Sequence, residues 1–96
     1  MEYYRYMNGL NEVACLEKTD FMAAVELCVK RLEFTCYNMP QNIEFGIYLD
    51  KCKQYLPTLD LIEQTNPSSD VQLRAHDLKT RIQYICTSKQ IPLFYL

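Results

Sequence analysis

The sequence predicts an all-α fold, a compact bundle of four to five helices with an extended apolar C-terminal tail. Apolar residues recur at steps of three and four over several long stretches, which is the pattern of amphipathic helices. They make up 49% of the 96 residues, and only 2 glycines and 4 prolines are present. This composition supplies a packed core and argues against disorder and glycine-rich β-structure. A chain of this length forms a single domain, here 1–96.

The first predicted helix is short. Asn8 and Gly9 interrupt the Tyr-rich segment before it, because both residue types favour turns over helix interiors. The helix is therefore expected over 11–16. Its inward side chains are expected to be Leu10, Val13 and Leu16.

The second helix is expected over 21–38. Thr19 or Asp20 precedes it and can accept hydrogen bonds from the unpaired amide groups of its first turn. Asn38 and Pro40 end it. Its apolar stripe consists of Phe21, Val25, Cys28, Val29, Leu32 and Cys36.

A third helix over 43–55 starts at the cap Asn42. Gly46 inside it indicates a close approach to another helix, since glycine is otherwise costly in a helix. Because 43–49 is short and aromatic, a β-strand remains an alternative there. One stripe of this helix holds Ile43, Ile47, Tyr48 and Cys52, and Phe45 and Leu49 lie apart from it, so the helix is expected to be covered on two faces.

Pro57 is expected to restart the chain in a short fourth helix over 57–66, because proline is tolerated in the first helical turn. Leu56, Leu59 and Ile62 would face inward. Ser69 and Gln72 fit a capping box at the start of the last helix, 70–89. That helix carries the most regular stripe, formed by Val71, Ala75, Leu78, Ile82 and Ile85.

The tail 90–96 cannot continue the helix because it contains Pro92. Its apolar side chains are expected either to fold back onto the bundle, which we favour, or to sit in a neighbouring molecule. If the tail sits in a neighbouring molecule, it takes part in assembly.

Charge and hydropathy exclude several classes of partner. The formal net charge is −2 and the isoelectric point is about 5.3, so no nucleic-acid partner is expected. No stretch approaches the ~20 apolar residues that cross a bilayer, so no membrane partner is expected. The first twenty residues lack the basic start and apolar run of a signal peptide.

The five cysteines are expected to be reduced. Their number is odd, and no Cys-x-x-Cys pair occurs, unlike a secreted disulfide framework or a zinc site. Cys28, Cys36 and Cys52 lie in apolar periodic stretches, so small buried hydrophobic side chains are the favoured interpretation for them. Reduced cysteines indicate an intracellular protein of the nucleus or cytoplasm. His76 is expected at a solvated helix position. No paired carboxylates, nucleophile triad or phosphate loop is found, so the sequence predicts no enzyme, metal or cofactor.

Four segments carry a resemblance to a known family, spread over about 19–86. They are Cys28–Leu32, Ile43–Leu49, Leu59–Glu63 and Ser69–Lys79. In order and spacing they resemble the N-terminal domain of transcription elongation factor TFIIS, and the chain is also similar to the integrase-binding domain of LEDGF. The chain departs from the pattern in two places. The usual Ile-Gly-x-x-Val segment of the third helix is missing, and Ile82 or Tyr84 replaces the closing tryptophan.

The resemblance implies a scaffold without catalysis that binds short, partly disordered segments of nuclear transcription and chromatin proteins. Two inter-helix loops at one end would hold the partner. By position, the first loop is Thr19, Asp20 and Phe21, and the second is Thr65, Asn66 and Pro67. Asp20 keeps the acidic type that accepts partner hydrogen bonds, whereas the second loop lacks the expected aromatic and aliphatic contacts. Asp20 and Asn66 can equally serve only as a helix cap and a helix stop.

Two functions therefore remain open. The first is a protein-interaction domain, consistent with 8 tyrosines in the chain, since tyrosine is favoured at interfaces. The second is a structural subunit of a homo-oligomer or permanent complex, which would use the Tyr-rich N-terminus and the apolar tail. The candidate exposed tyrosines are Tyr3, Tyr4, Tyr6 and Tyr95.

Overall fold

A computed structural model describes the backbone of residues 2–88 and the side chains of residues 9–87. Four helices account for nearly all of this part: α1 (Glu2–Thr19), α2 (Phe21–Asn38), α3 (Ile43–Thr65) and α4 (Ser69–Ser88). Residues 2–88 contain no strand, so the all-α prediction is confirmed and the strand alternative for 43–49 is wrong. The predicted docking of the tail 90–96 lies outside the described residues.

Helix α2 is at the centre, because it packs against each of the other three helices. Two ion pairs link it to α4: Glu26 with Arg74 at 3.5 Å, and Glu33 with Arg81 at 2.6 Å. The second pair lies seven residues further along both helices, so α2 and α4 run in the same direction. The paired charges align the two helices without occupying the core.

Helices α1 and α3 are parallel for the same kind of reason. Gly9 lies against Tyr48, and about two turns further along both helices the Tyr55 hydroxyl donates a 2.7 Å hydrogen bond to Glu17. Together with the short connections, this gives an up-down-up-down bundle. At one end lie the α1–α2 and α3–α4 junctions, and we call it the two-junction end. At the other, which we call the terminal end, lie the start of α1, the α2–α3 connection and the end of α4.

The core matches most of the predicted apolar stripes. Those of α2 and α4 face the interior, with Phe21 and Val71 only half-buried. Each fully buried aliphatic or aromatic side chain contributes on the order of 1.5–3 kcal/mol. The buried hydrophobic set is Val13, Ala24, Val25, Cys28, Val29, Leu32, Cys36, Phe45, Tyr48, Leu49, Cys52, Tyr55, Leu59, Ala75, Leu78, Ile82 and Ile85.

The predicted break at Asn8 and Gly9 is wrong, since α1 runs unbroken from Glu2 to Thr19. A Cβ atom at Gly9 would overlap the Tyr48 hydroxyl, so this glycine leaves room for the Tyr48 side chain that reaches α1 from α3. The prediction of a close approach at Gly46 is also wrong, because nothing lies within 4 Å of a Cβ built there.

The predicted restart at Pro57 is wrong as well, because α3 continues through this residue to Thr65. Proline lacks the amide hydrogen that would bond to the carbonyl four residues earlier, and in a helix interior it costs about 3 kcal/mol. Tyr55 and Leu59 on either side are both buried on the same face. Burial of this continuous face offsets the cost.

The inward face of α3 also differs from the prediction at its first residue. Ile43, predicted in the stripe, is 69% exposed, whereas Phe45 and Leu49 are buried with Tyr48 and Cys52. The buried face of α3 is wide, because α2 and α4 both pack against it, and side-chain contacts with α1 are added at Tyr48 and Tyr55.

The helix starts follow simple capping chemistry, with one correction. The Asp20 carboxylate accepts a 3.1 Å hydrogen bond from the Ala23 amide, and the Asn42 side chain caps α3, so both predicted caps are confirmed. The predicted capping box of Ser69 with Gln72 is wrong. Ser68 is the capping residue, and its hydroxyl accepts from the Val71 amide at 3.4 Å.

Candidate functional site

The first predicted loop is a one-residue junction between α1 and α2. Asp20 uses its Oδ1 atom to cap α2, and the Thr19 hydroxyl donates to the Leu16 carbonyl at 3.5 Å. Phe21 is half-buried, and its ring meets the ring of Tyr55 edge to face, with the ring centroids 5.4 Å apart. The loop is therefore fixed by its own hydrogen bonds and by one aromatic contact with α3.

The second predicted loop ends α3 and leads into α4. The Thr65 hydroxyl donates to the Leu61 carbonyl at 2.7 Å, and Asn66 is the C-cap residue of α3. The Asn66 side chain accepts a hydrogen bond from the Ser68 amide, and its carbonyl accepts one from the Gln72 side chain at 2.5 Å. Pro67 is exposed.

Both loops lie at the two-junction end, but they are separated along α3. Phe21 at the start of α2 contacts Tyr55, and α3 continues from there to Thr65. These ten residues correspond to roughly 15 Å of helix. The last turns of α3 therefore separate the two loops, and they pack against α4.

A charged cluster joins the C-terminal part of α3 to α4. The Lys79 ammonium lies 3.1 Å from Asp60 and also pairs with Glu63. Nδ1 of His76 is 2.5 Å from Oε2 of Glu63. The Lys79 ammonium holds the pKa of the Glu63 carboxyl below its usual value, and the His76 hydrogen bond acts in the same direction. The two carboxylates in turn raise the pKa of Lys79.

This cluster is a clamp between two helices, in which the Lys79 ammonium on α4 bridges two carboxylates on α3. His76 is exposed, as the sequence predicted, but its partner Glu63 lies thirteen residues earlier on another helix. A pattern within one helix cannot reveal such a pair. Among the described residues, no group of three or more His, Cys, Asp or Glu side chains could hold a metal ion.

A shallow groove opens beside the clamp on the first turns of α4. Its lining includes Glu63, Ser69, Gln72, Leu73 and His76. Leu73 is 67% exposed, whereas Ala75, the next residue of the apolar stripe of α4, is fully buried. Since Gln72 also binds the Asn66 carbonyl, the groove is continuous with the second predicted loop. The sequence held one signal for it, an apolar residue that lies off the stripe of α4.

A second exposed apolar area lies at the terminal end. We call it the aromatic surface, and it consists of Phe34, Tyr37 and Tyr84. On α2 and α4, Tyr37 and Tyr84 follow by one turn the ion pair that links Glu33 to Arg81, so they continue the same side of the bundle. The side chains of Tyr3, Tyr4, Tyr6 and Tyr95, predicted to be exposed, lie outside the described residues.

Comparison of the chain with known protein families, with curated protein sequences and with solved structures gave no match. Within residues 2–88, no helix combines the length and the apolar character needed to cross a bilayer. The two surfaces above are therefore the starting points for assigning a function.

Proposed function

We propose that this chain is a non-catalytic protein-interaction domain that binds a short disordered segment of another protein at the two-junction end. The observation that carries the proposal is Leu73, a large apolar side chain held 67% exposed in a groove that continues into the Asn66 loop. An apolar anchor next to fixed polar groups is the common composition of a peptide-binding surface.

The chemistry of the groove and the loops suits a segment with an apolar anchor flanked by basic residues. Two exposed carboxylates lie at the helix starts: Asp20 comes just before α2, and Asp70 is in the first turn of α4. Capping α2 uses only Oδ1 of Asp20, and a carboxylate has about four acceptor positions. Asp20 can therefore cap the helix and accept a hydrogen bond from a partner. The resemblance noted above supports a transcription or chromatin factor as the partner, and hence a nuclear location.

Affinity capture from the source cell tests this proposal. We expect the Leu73→Arg variant and the Asp20→Arg/Asn66→Arg double variant to lose proteins that the wild type recovers. A long charged side chain at either place would obstruct the apolar anchor or repel basic residues of the segment. For a captured segment, we expect affinity to fall at least about tenfold, as for a central interface residue.

Ile43→Arg is the matched control, because Ile43 is a similarly exposed aliphatic residue at the opposite end of the bundle and outside the aromatic surface. Circular dichroism must show that all baits are folded, since loss of the Asp20 cap costs about 1 kcal/mol. Recovery of the same proteins by the Leu73 variant, the double variant and the control would exclude the two-junction end as the binding site.

A second candidate function is a structural subunit of a homo-oligomer or permanent complex. The aromatic surface favours it, because Phe34, Tyr37 and Tyr84 are each more than half exposed at the same end of the bundle. Exposed apolar area gathered in one region marks interaction sites. The same end of the bundle holds the first turn of α1 and the last turn of α4. The Tyr-rich segment and the apolar tail therefore adjoin it in the chain.

Light scattering at micromolar concentration tests this candidate. If the aromatic surface joins copies of the chain, the wild type has a multiple of the 11.4 kDa chain mass, and Phe34→Ser/Tyr84→Ser returns it to the single mass. A wild-type mass equal to one chain across the concentration range contradicts obligate self-association.

A further inference from the structure

Two of the five cysteines meet in the core. Cys28 on α2 and Cys52 on α3 are both fully buried, and their Sγ atoms are 3.4 Å apart, with the Cys52 thiol donating to Cys28. We propose that Cys28 and Cys52 are an oxidative modification site, at which a small-molecule disulfide such as oxidised glutathione forms an intrachain disulfide between α2 and α3. This inference is independent of the proposed binding function.

The two Sγ atoms, 3.4 Å apart, must come closer by about 1.4 Å to form a bond. A disulfide has an S–S length of about 2.05 Å, so each sulfur must move by roughly 0.7 Å. Small rotations about the Cα–Cβ bonds of two side chains that face each other supply such a shift. Because the helix packing already holds the pair in contact, the second thiol is present at a high local concentration once the first has reacted.

The reaction balances with a disulfide oxidant alone. One cysteine, as its thiolate, attacks a sulfur of the oxidant, forms a mixed disulfide and releases one small-molecule thiol. The thiolate of the other cysteine then attacks the protein sulfur of this mixed disulfide and releases the second thiol. Two protein thiols have then lost two protons and two electrons, and the oxidant disulfide has been reduced to two thiols.

Burial controls when this can happen. The hydrogen bond to Cys28, together with burial, raises the pKa of the Cys52 thiol far above its ordinary value. Because only the thiolate attacks a disulfide, the packed molecule resists oxidation. The bond therefore forms when α2 and α3 separate transiently, and repacking then encloses it. Once enclosed, the disulfide is shielded from reductants by the same side chains that shielded the thiols.

The formed bond would stabilise the fold. It closes a loop that runs from residue 28 to residue 52 and includes the α2–α3 connection, 39–42. This loop restricts the conformations of the unfolded chain. We expect the thermal midpoint to rise on the order of 10 °C for a loop of this length in a small domain.

The test is to incubate the wild type with oxidised glutathione in a urea concentration below the unfolding transition, remove the urea and alkylate the remaining thiols. Cleavage after lysine and arginine places the five cysteines in five different peptides, so mass spectrometry identifies any pair directly. We expect the peptides of Cys28 and Cys52 to be joined with loss of two hydrogen atoms. The thermal midpoint should rise by the expected amount and return after reduction.

Cys36→Ala is the matched control, because Cys36 is also buried on α2, and this variant should form the bond as the wild type does. Cys52→Ala should not form it. Full alkylation of all five thiols in the treated wild type would overturn the proposal, as would a bond between Cys52 and Cys86, the half-buried cysteine of α4. Both outcomes are measured on the wild type, so the folding of a variant does not affect them.

Discussion

Replacing Ile82 by aspartate is expected to unfold the domain. Ile82 is fully buried on α4, within the single core formed by all four helices. An aspartate there loses the apolar burial of isoleucine and places an unpaired carboxylate away from water. The combined cost is on the order of 5 kcal/mol, which equals the whole stability at the lower end of the range for small domains, about 5 kcal/mol. Circular dichroism at 25 °C should show loss of most of the helical signal.

Gln83→Asp is the control for this prediction. It introduces the same charge at the next position of α4, and Gln83 is exposed. Both substitutions place a negative charge equally close to the end of the helix, so that effect cancels in the comparison. We expect the control to stay folded, with a change in unfolding free energy within about 0.5 kcal/mol. Equal urea midpoints for the two variants would show that Ile82 is not in the core.

Alanine at two helical glycines is expected to change stability in opposite directions. In a helix interior, Gly→Ala ordinarily stabilises by about 0.5–1 kcal/mol. Gly46→Ala should follow this rule, since nothing lies within 4 Å of its new methyl group. Gly9→Ala should reverse it, because the methyl group would overlap the hydroxyl of the buried Tyr48. Overpacking of this kind costs about 1–3 kcal/mol, which exceeds the usual gain.

Tyr48→Phe separates this overlap from other effects. Among the residues whose side chains the structure describes, none accepts from or donates to the buried Tyr48 hydroxyl, so removing this hydroxyl should itself stabilise the protein by about 1–3 kcal/mol. The substitution also removes the atom that a methyl group at position 9 would meet first, so Gly9→Ala should cost less when it is combined with Tyr48→Phe. A double-mutant cycle of urea unfolding free energies measures this coupling. Additive effects of the two substitutions would contradict the contact between Gly9 and the Tyr48 hydroxyl.

Much of the fold could be predicted from local pattern. The stripes on α2 and α4 follow from apolar spacing, and the caps Asp20 and Asn42 follow from short polar side chains just before α2 and α3. These features depend on residues within one or two turns of each other. The failures at Gly9 and Pro57 share one cause, since both predictions rest on intrinsic helix preference. In each case, contacts from another helix, or burial of a continuous face, outweigh that preference.

The candidate site was less accessible to sequence reasoning. The six predicted loop residues do lie in the α1–α2 and α3–α4 junctions, where their polar atoms serve as caps, and their role in binding stays a prediction. The groove beside Leu73 could not be predicted, because its lining comes from the end of α3 and the start of α4 together. The contact of Cys28 with Cys52 likewise depends on the register of two helices.

The sequence by itself determined that this chain is helical, where α2 begins and ends, where α3 begins, and which faces of α2 and α4 are apolar. Those properties are set by hydrogen bonding and side-chain spacing within a single helix. Only the tertiary structure decided that α1 and α3 are long unbroken helices, and that a clamp and an exposed leucine stand beside the second loop. These depend on how the helices pack and on their relative register, which bring together side chains far apart in the chain.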